Sequence, residues 1–554
     1  MSHSSRVKSS LTLRVLPICV VLLLCLLSWL PMPAASNEGA AKKKVAYQNP
    51  GVYGRWENGF NTAPSVHLHV LPNGMVLTWT QLYTPAIQTF ARLWDPNNPS
   101  QLPEVNYTQT DLFCSGHSFL PDGRLLVTGG TLPGGAYHYG TPKATIFDYR
   151  NISTNPWSNA GDMNNGRWYP TNLALGNGEA LVLSGSYIDT SSETDDWAVN
   201  RVPQVWQTTG GWRNLPNAIY PYMSLYPWAH LLSNGKVFIS GPDRRSLFMT
   251  TENSGTVCDG PQSNGHYRDS GSSVMYDVDK ILIVGGENEP FGVGPTNTAE
   301  FIDLSAPGAT DCNNPAPPVW QYTRAPMANK RRHLNTTVLP DGKVLVTGGT
   351  SKDGFNSPCS ANWVLVPEMW NPDTHDWLPM AAMSYPRLYH STAVLLPDAR
   401  VLVAGTTIIP GSPCPGPCCQ VENQQQTQIF SPPYLYTATG EDAARPAIIN
   451  APQEVDYGQT YTLRVQSGDL AEINSATLIR LPSVTHSFNQ NQRINKLAVQ
   501  SQSSTRFSIT IPSNPNACPP GHYMLFILNS NGVPSKAKII RVRPQGEGRL
   551  SARR

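Results

Sequence analysis

The chain is punctuated by turns at long, roughly even intervals. Between about residue 65 and residue 405, short apolar runs are cut by an Asn-Gly or Asp-Gly type turn, and the pattern returns every 45–62 residues. It stands as Leu71-Pro-Asn-Gly-Met-Val-Leu, Leu120-Pro-Asp-Gly-Arg-Leu-Leu, Leu175-Gly-Asn-Gly-Glu-Ala-Leu, Leu232-Ser-Asn-Gly-Lys-Val-Phe, Asp277-Val-Asp-Lys-Ile-Leu-Ile, Leu339-Pro-Asp-Gly-Lys-Val-Leu and Leu396-Pro-Asp-Ala-Arg-Val-Leu. Such a pair between apolar runs is the strongest local hairpin signal, and it predicts positive φ at both central residues. Most copies are followed by another strand ending in an aromatic or apolar residue and then Asp or Asn, as in Leu93-Trp94-Asp95, Ile146-Phe147-Asp148, Phe301-Ile302-Asp303 and Met369-Trp370-Asn371.

Repeats of this length, with Gly-Gly after the second strand, resemble kelch blades, four-stranded sheets set around a central channel. The fold expected is all-β: a seven-bladed kelch-type propeller over residues 37–440. After Pro433 the punctuation changes to strands of alternating pattern, from Tyr461-Thr-Leu-Arg-Val to Ala537-Lys-Ile-Ile-Arg-Val. They predict an immunoglobulin-like sandwich over 441–545, with a basic tail at 546–554. No helix is expected.

Composition narrows the class. Only 14% of residues are charged while 9% are aromatic, and Gly and Pro number 44 and 50, which fits a folded, turn-rich chain and excludes disorder and coiled coil. The net charge is +2, part of it from Arg6, Lys8 and Arg14 in the leader, so no basic excess points to nucleic acid. Residues 1–36 read as a signal peptide with the apolar run Val15 to Met32 and a small-residue site at Ala34-Ala35-Ser36. An uncleaved anchor is the alternative for that run. After cleavage no stable membrane insertion is expected and the protein is placed outside the cell, secreted or wall-associated. Disulfides persist there; Cys258 with Cys312, and pairs among Cys359, Cys414, Cys418, Cys419 and Cys518, are the candidates. Asn106, Asn151 and Asn335 fit glycosylation acceptors, Asn335 poorly because it starts a strand.

The candidate chemistry comes from register. Counting back nine residues from each turn gives Ser65, Cys114, Tyr169, Tyr226, Gly271, His333 and His390. Equivalent positions in a propeller lie on one ring, so these side chains are predicted to meet at one mouth of the channel. Alone, each is more often a packed core residue; together, a Cys, two Tyr and two His are not what a structural blade needs. Imidazoles plus phenolates suit Cu(II) or iron rather than Ca²⁺ or Mg²⁺. A phenol ionises near pH 10, so a metal must hold it deprotonated at neutral pH.

With those residues in view, the chain resembles the galactose oxidase and glyoxal oxidase family of copper radical oxidases. The matching motifs are Phe113-Cys114, Arg167-Trp168-Tyr169, Arg387-Leu388-Tyr389-His390-Ser391, and Val484-Thr485-His486-Ser487 with Asn489 and Gln492-Arg493 beyond. The resemblance implies one copper ion held by Tyr169, His390, His486 and axial Tyr389, with Cys114 thioether-linked to Tyr169 as a tyrosyl radical; Cys114, Tyr169 and Tyr389 would be catalytic. The residues alone do not choose His486 over His522.

The resemblance further implies two-electron oxidation of substrate with reduction of O₂ to H₂O₂. A tyrosine, Tyr187, stands where galactose oxidase stacks a Trp on its cross-linked ring, and no sugar-binding domain precedes the repeats. Small aldehydes, oxidised as hydrates, are therefore favoured, with primary alcohols or galactose as the alternative and peroxide-using enzymes as candidate partners. Arg332 and His333, with Tyr226 opposite, are expected to line the pocket. The competing reading is a non-catalytic extracellular propeller that binds glycans or wall components.

Overall fold

Each predicted hairpin forms, and each lies in its own antiparallel sheet. A computed structural model describes residues 49–84, 87–132, 139–188, 197–287, 293–353, 359–407, 423–466, 473–503 and 505–547. The leader and Cys414, Cys418 and Cys419 lie outside them. The fold is all-β. Its only α-helix among the described residues is one turn, Pro50–Tyr53, capped by the Asn49 side chain, which departs from the expectation of no helix.

The turns differ from expectation in one respect. Only the glycine of each carries positive φ, as at Gly74 (84°) and Gly342 (84°), while the residue before it does not. In the Pro-containing copies the proline, fixed near −65°, stands at the first central position and forbids the primed turn. The chain instead makes a tight turn closed by Gly74 N–H donating to Leu71 C=O (2.9 Å) and Leu71 N–H to Met75 C=O (2.8 Å). Where glycine is replaced, Asp279 and Ala399 adopt the same conformation, at 60° and 69°.

The inner strands are buried on both faces, Leu125–Thr128 and Val401–Ala404 along their whole length. Such strands sit between neighbouring sheets, which is why they read as continuous apolar runs without alternation. A strand from the start of the described chain, Arg55–Asn61, completes the sheet of the last repeat by pairing with Gln426–Ser431. Thr392–Leu395 and Val401–Ala404 form the rest of that sheet.

Four buried arginines brace the repeats in the same way. Arg167, Arg268, Arg331 and Arg387 each donate to a carbonyl near the end of the next strand, at Ser184, Gly285, Gly348 and Gly405. Each also reaches a polar side chain on the third strand: Gln204, Glu300, Glu368 and Gln428. Without a carboxylate partner, burial pushes Arg167 and Arg387 down to about 9. These arginines stand two or three residues before the ring positions and hold that backbone in place.

Residues beyond 445 form two further sheets. One orders Ile448–Asn450, Thr460–Val465, Arg506–Thr510 and Val499–Ser503; the other orders Glu454–Val455, Lys538–Val542, Gly521–Asn529, Ile473–Arg480 and Ile494–Leu497. Leu463, Phe507, Leu478 and Leu525 form part of the core between them. Cys258 and Cys312 are joined, as expected, with Cα atoms 6.1 Å apart. Cys518 is a buried thiol. Asn335 is buried with its amide donating to Ser391, so it is no glycan acceptor. No helix among the described residues is long and apolar enough to cross a membrane.

Candidate metal centre

The ring positions share an unusual backbone. Cys114, Tyr169, Tyr226, His333 and His390 all have positive φ, between 43° and 66°. Non-glycine residues rarely adopt this conformation, and they hold it where the surroundings over-determine it. Here successive ring residues are stitched together. Tyr169 N–H donates to Cys114 C=O (2.9 Å), Tyr226 N–H to Tyr169 C=O (2.8 Å) and His333 N–H to Ser270 C=O (2.7 Å). The bend turns each side chain towards the common centre. Gly271 has no side chain to offer that centre, and Ser65 is buried with its hydroxyl unpaired.

His486 arrives from the C-terminal region at the tip of a hairpin, between Ser483–Thr485 and Phe488–Asn489. Its two turn residues, His486 and Ser487, have φ of 45° and 69°, as a tight primed turn requires. The hairpin is hydrogen-bonded along the inner strand His67–Val70, with Thr485 opposite His67 and Ser483 opposite His69. A ligand distant in sequence is thus placed by sheet register. His522, the other candidate, lies on Gly521–Asn529 beside Gly123 and away from the ring.

Five side chains converge. A ligand atom each from Cys114, His390 and His486 lie within 4.8 Å of one another, with Cys114 Sγ 3.7 Å from His486 Nε2. The hydroxyls of Tyr169 and Tyr389 touch. Ring centroids are 4.5 Å apart for Tyr169 and His486, 4.5 Å for His390 and His486, and 3.6 Å for Tyr389 and His390. Burial drives the two phenols well above their ordinary range and the two imidazoles well below theirs, so all four donors are neutral.

Both imidazoles are oriented from behind. Thr485 Oγ1–H donates to Val66 C=O (2.9 Å), so its contact with His486 Nδ1 (2.7 Å) must be Nδ1–H donating to Oγ1. His390 Nδ1 contacts Thr407 Oγ1. His486 Nε2 therefore presents a lone pair to the centre, and His390 Nε2 is buried with no hydrogen-bond partner. An orphaned ring nitrogen of this kind, with its opposite nitrogen pinned, is what a metal-ligating histidine looks like. The donor set of two imidazoles and two phenols fits copper or iron.

The flanking predictions are met unevenly. Tyr226 stacks on Tyr169 at 4.6 Å and His333 lies 5.1 Å from Tyr389, both lining the same cavity of about 350 Å³. Arg332 does not line it: the side chain is fully buried behind the wall, its guanidinium held by Glu287 and by Asp269 at 3.1 Å. Tyr187 sits half-buried on Ser186–Ile188. The rings found stacked on Tyr169 are Tyr226 and the adjacent Trp168, the latter at 3.7 Å.

Sequence reading missed His67, His69 and His117, all fully buried. Cys114 N–H donates to His67 Nε2 (3.1 Å), which leaves His67 Nδ1–H to donate to His117 Nε2 (3.0 Å). His117 Nδ1 then meets Ser483 Oγ (2.6 Å), which also contacts His69 Nδ1 (2.9 Å). Nothing in the repeat register marks these positions; their signal is three histidines in strands otherwise apolar.

Comparison with known proteins gives the family. Residues 97–411 match the family described as glyoxal oxidase N-terminus, and residues 445–542 match the galactose oxidase-like early set domain. The chain belongs to the glyoxal oxidase and galactose oxidase family of copper radical oxidases. It is 30% identical over 527 residues to a galactose oxidase of Gibberella zeae, an alignment covering 89% of this chain and 71% of that one. It is 30% identical over 480 residues to an aldehyde oxidase of Vitis pseudoreticulata, covering 78% and 82%. A solved fungal alcohol oxidase of the AA5 family, in complex with copper, superposes with a TM-score of 0.75 at 27% identity, over 89% of this chain and all of that one. The chain is thus a homologue of oxidases, in a family that acts on aldehyde or alcohol substrates, which disfavours the non-catalytic reading.

Proposed function

We propose that the chain is a secreted, copper-dependent oxidase of small aldehydes, taken as their hydrates, with Tyr169, Tyr389, His390 and His486 as ligands and Cys114 thioether-linked to Tyr169. The observation that carries this reading is the pair of threonine-pinned imidazoles packed against two touching phenols. Bound there, copper would supply the positive charge that holds a phenolate at neutral pH and a one-electron redox partner.

The chain's own groups set the rest. A substrate hydroxyl enters through the cavity and meets Tyr389, which lines it and whose phenolate would take the hydroxyl proton. Tyr169, once oxidised, takes the hydrogen atom from the substrate carbon. Trp168 and Tyr226 both stack on its ring. In total RCHO, H₂O and O₂ give RCOOH and H₂O₂. No organic cofactor enters this scheme.

The same reading takes the repeat sheets as a seven-bladed propeller over residues 37–440, the sheets beyond 445 as an immunoglobulin-like sandwich over 441–545, and residues 1–36 as a cleaved signal. One hairpin per sheet, closure by Arg55–Asn61 and the Cys258–Cys312 bond support it. The alcohol alternative draws on the AA5 alcohol oxidase. Copper loading in air, followed by an oxygen-uptake and peroxide screen over methylglyoxal, glyoxal, galactose and benzyl alcohol, separates the readings. Aldehyde turnover is expected; no turnover with copper bound would end the oxidase proposal.

A further inference from the structure

We propose that a small cavity at the base of the hairpin carrying His486 binds one halide-sized anion, chloride above all, and that this ion fastens the hairpin to the repeat sheets. This goes beyond the oxidase reading and does not depend on it. The cavity, of about 20 Å³, has room for one or two water-sized particles, and every residue on its wall is buried. The wall joins His230 and Met275 of the repeats to Arg480 and to the run from Asn489 to Arg493, the motif that follows His486.

The three orphaned side-chain atoms on that wall are all donors. Gln490 Oε1 accepts from His117 N–H (3.0 Å) and Asn172 N–H (2.9 Å), which fixes the amide's orientation and leaves Nε2 buried without a partner. Asn489 Oδ1 accepts from the backbone N–H groups of Ser483 (3.0 Å), Asn491 (3.3 Å) and Gln492 (3.2 Å), which leaves Nδ2 in the same condition. Arg493 Nε is the third.

Arg480 and Arg493 also bring two buried guanidinium charges, and the acceptors they meet are neutral. Arg480 donates to Asn491 Oδ1, Tyr523 Oη and the carbonyls of Pro519, Pro520 and Phe119. Arg493 Nη2 donates to Leu231 C=O (3.1 Å) and meets Met275 Sδ (3.2 Å). Asp279, the carboxylate whose charge reaches Arg493, is held by Ser233 through its N–H (2.7 Å) and its hydroxyl. A buried charge is costly unless it is paired. Water in this place would have to find acceptors for its own hydrogens, and the side-chain amide oxygens of the wall are already engaged, that of Gln492 by Val338 N–H (3.2 Å). An anion accepts from all three donors and offsets guanidinium charge as well. Asn489, Gln490 and Arg493 follow His486 by three, four and seven residues, so an ion gripping them steadies the hairpin whose tip holds the imidazole.

The full-length chain, with and without copper, is dialysed into gluconate, an anion too large for the cavity, and halide is returned at constant ionic strength. Tm is expected to rise by equal steps for each tenfold increase in chloride or bromide above Kd, in the copper-free chain as in the loaded one, which separates this site from halide binding at the metal. Crystals grown in bromide are expected to show one anomalous scatterer among Asn489 Nδ2, Gln490 Nε2 and Arg493 Nε. Arg493→Lys, which keeps the charge and loses Nε, is expected to weaken bromide binding about tenfold or more. One chloride per chain, retained through dialysis and released on denaturation, supports the site where exchange is slow. A cavity that refines as water in bromide crystals, with no chloride released from the dialysed chain by ion chromatography, overturns the proposal whatever the variant does. None of these readouts involves turnover, so the oxidase reading stands or falls apart from them.

Discussion

Replacing Thr485 by Val removes one hydroxyl and almost no volume from a fully buried site. That hydroxyl donates to Val66 C=O at 2.9 Å and accepts from His486 Nδ1–H at 2.7 Å. Two outcomes compete in the variant. If the ring keeps its tautomer, a buried N–H is left unpaired, costing about 1–3 kcal/mol of folding stability. If the proton moves to Nε2, it occupies the lone pair aimed at the centre and must be displaced before a metal binds. Loss of a group that orients a ligating histidine typically costs about 10–100-fold in metal affinity. Copper affinity is therefore expected to fall within that range, measured by competition against a chelator of known affinity. The Tm increment on adding copper should shrink in parallel, because a ligand stabilises in proportion to the logarithm of its concentration over its Kd. Unchanged copper affinity in a folded Thr485→Val protein would refute the account of how His486 is oriented.

Glu368→Ala strands the Arg331 guanidinium, 2.5 Å from it and equally buried, and is expected to cost about 3–5 kcal/mol in denaturant unfolding. Glu368→Gln should cost much less, since Gln204 and Gln428 serve Arg167 and Arg387 in the same position. His67→Phe removes the acceptor of Cys114 N–H; thioether formation, followed by intact mass after copper is added in air, is expected to slow while copper binding holds. Deleting the chain up to Asn61 removes the partner of Gln426–Ser431 and opens a sheet edge, so aggregation seen by light scattering is expected to rise.

The repeats and much of the ring were legible because they repeat. A turn that recurs every 45–62 residues fixes a register, and register alone brought Cys114, Tyr169, Tyr226, His333 and His390 to one place. His486 belongs to no repeat, and its position depends on pairing with His67–Val70 across more than four hundred residues; only family resemblance singled it out. Arg332 misled because its neighbour His333 faces the cavity while its own side chain turns into a carboxylate pair, a choice set by Glu287 and Asp269 of the preceding repeat. Trp168 was quoted in a motif without a role, since adjacent residues stack only when the backbone bends as it does at Tyr169, where φ is 66°. The prolines of the turns carried a signal against primed geometry that the Asn-Gly and Asp-Gly pairs overshadowed.

The central claim is that Cys114 and Tyr169 meet at one copper site, and peptide mass mapping of the full-length chain after copper addition in air tests it most directly. The account predicts a single cross-linked species joining the peptides of Cys114 and Tyr169, lighter than their sum by two hydrogens. Recovery of the two peptides separately from a copper-loaded preparation that turns over aldehyde would contradict it.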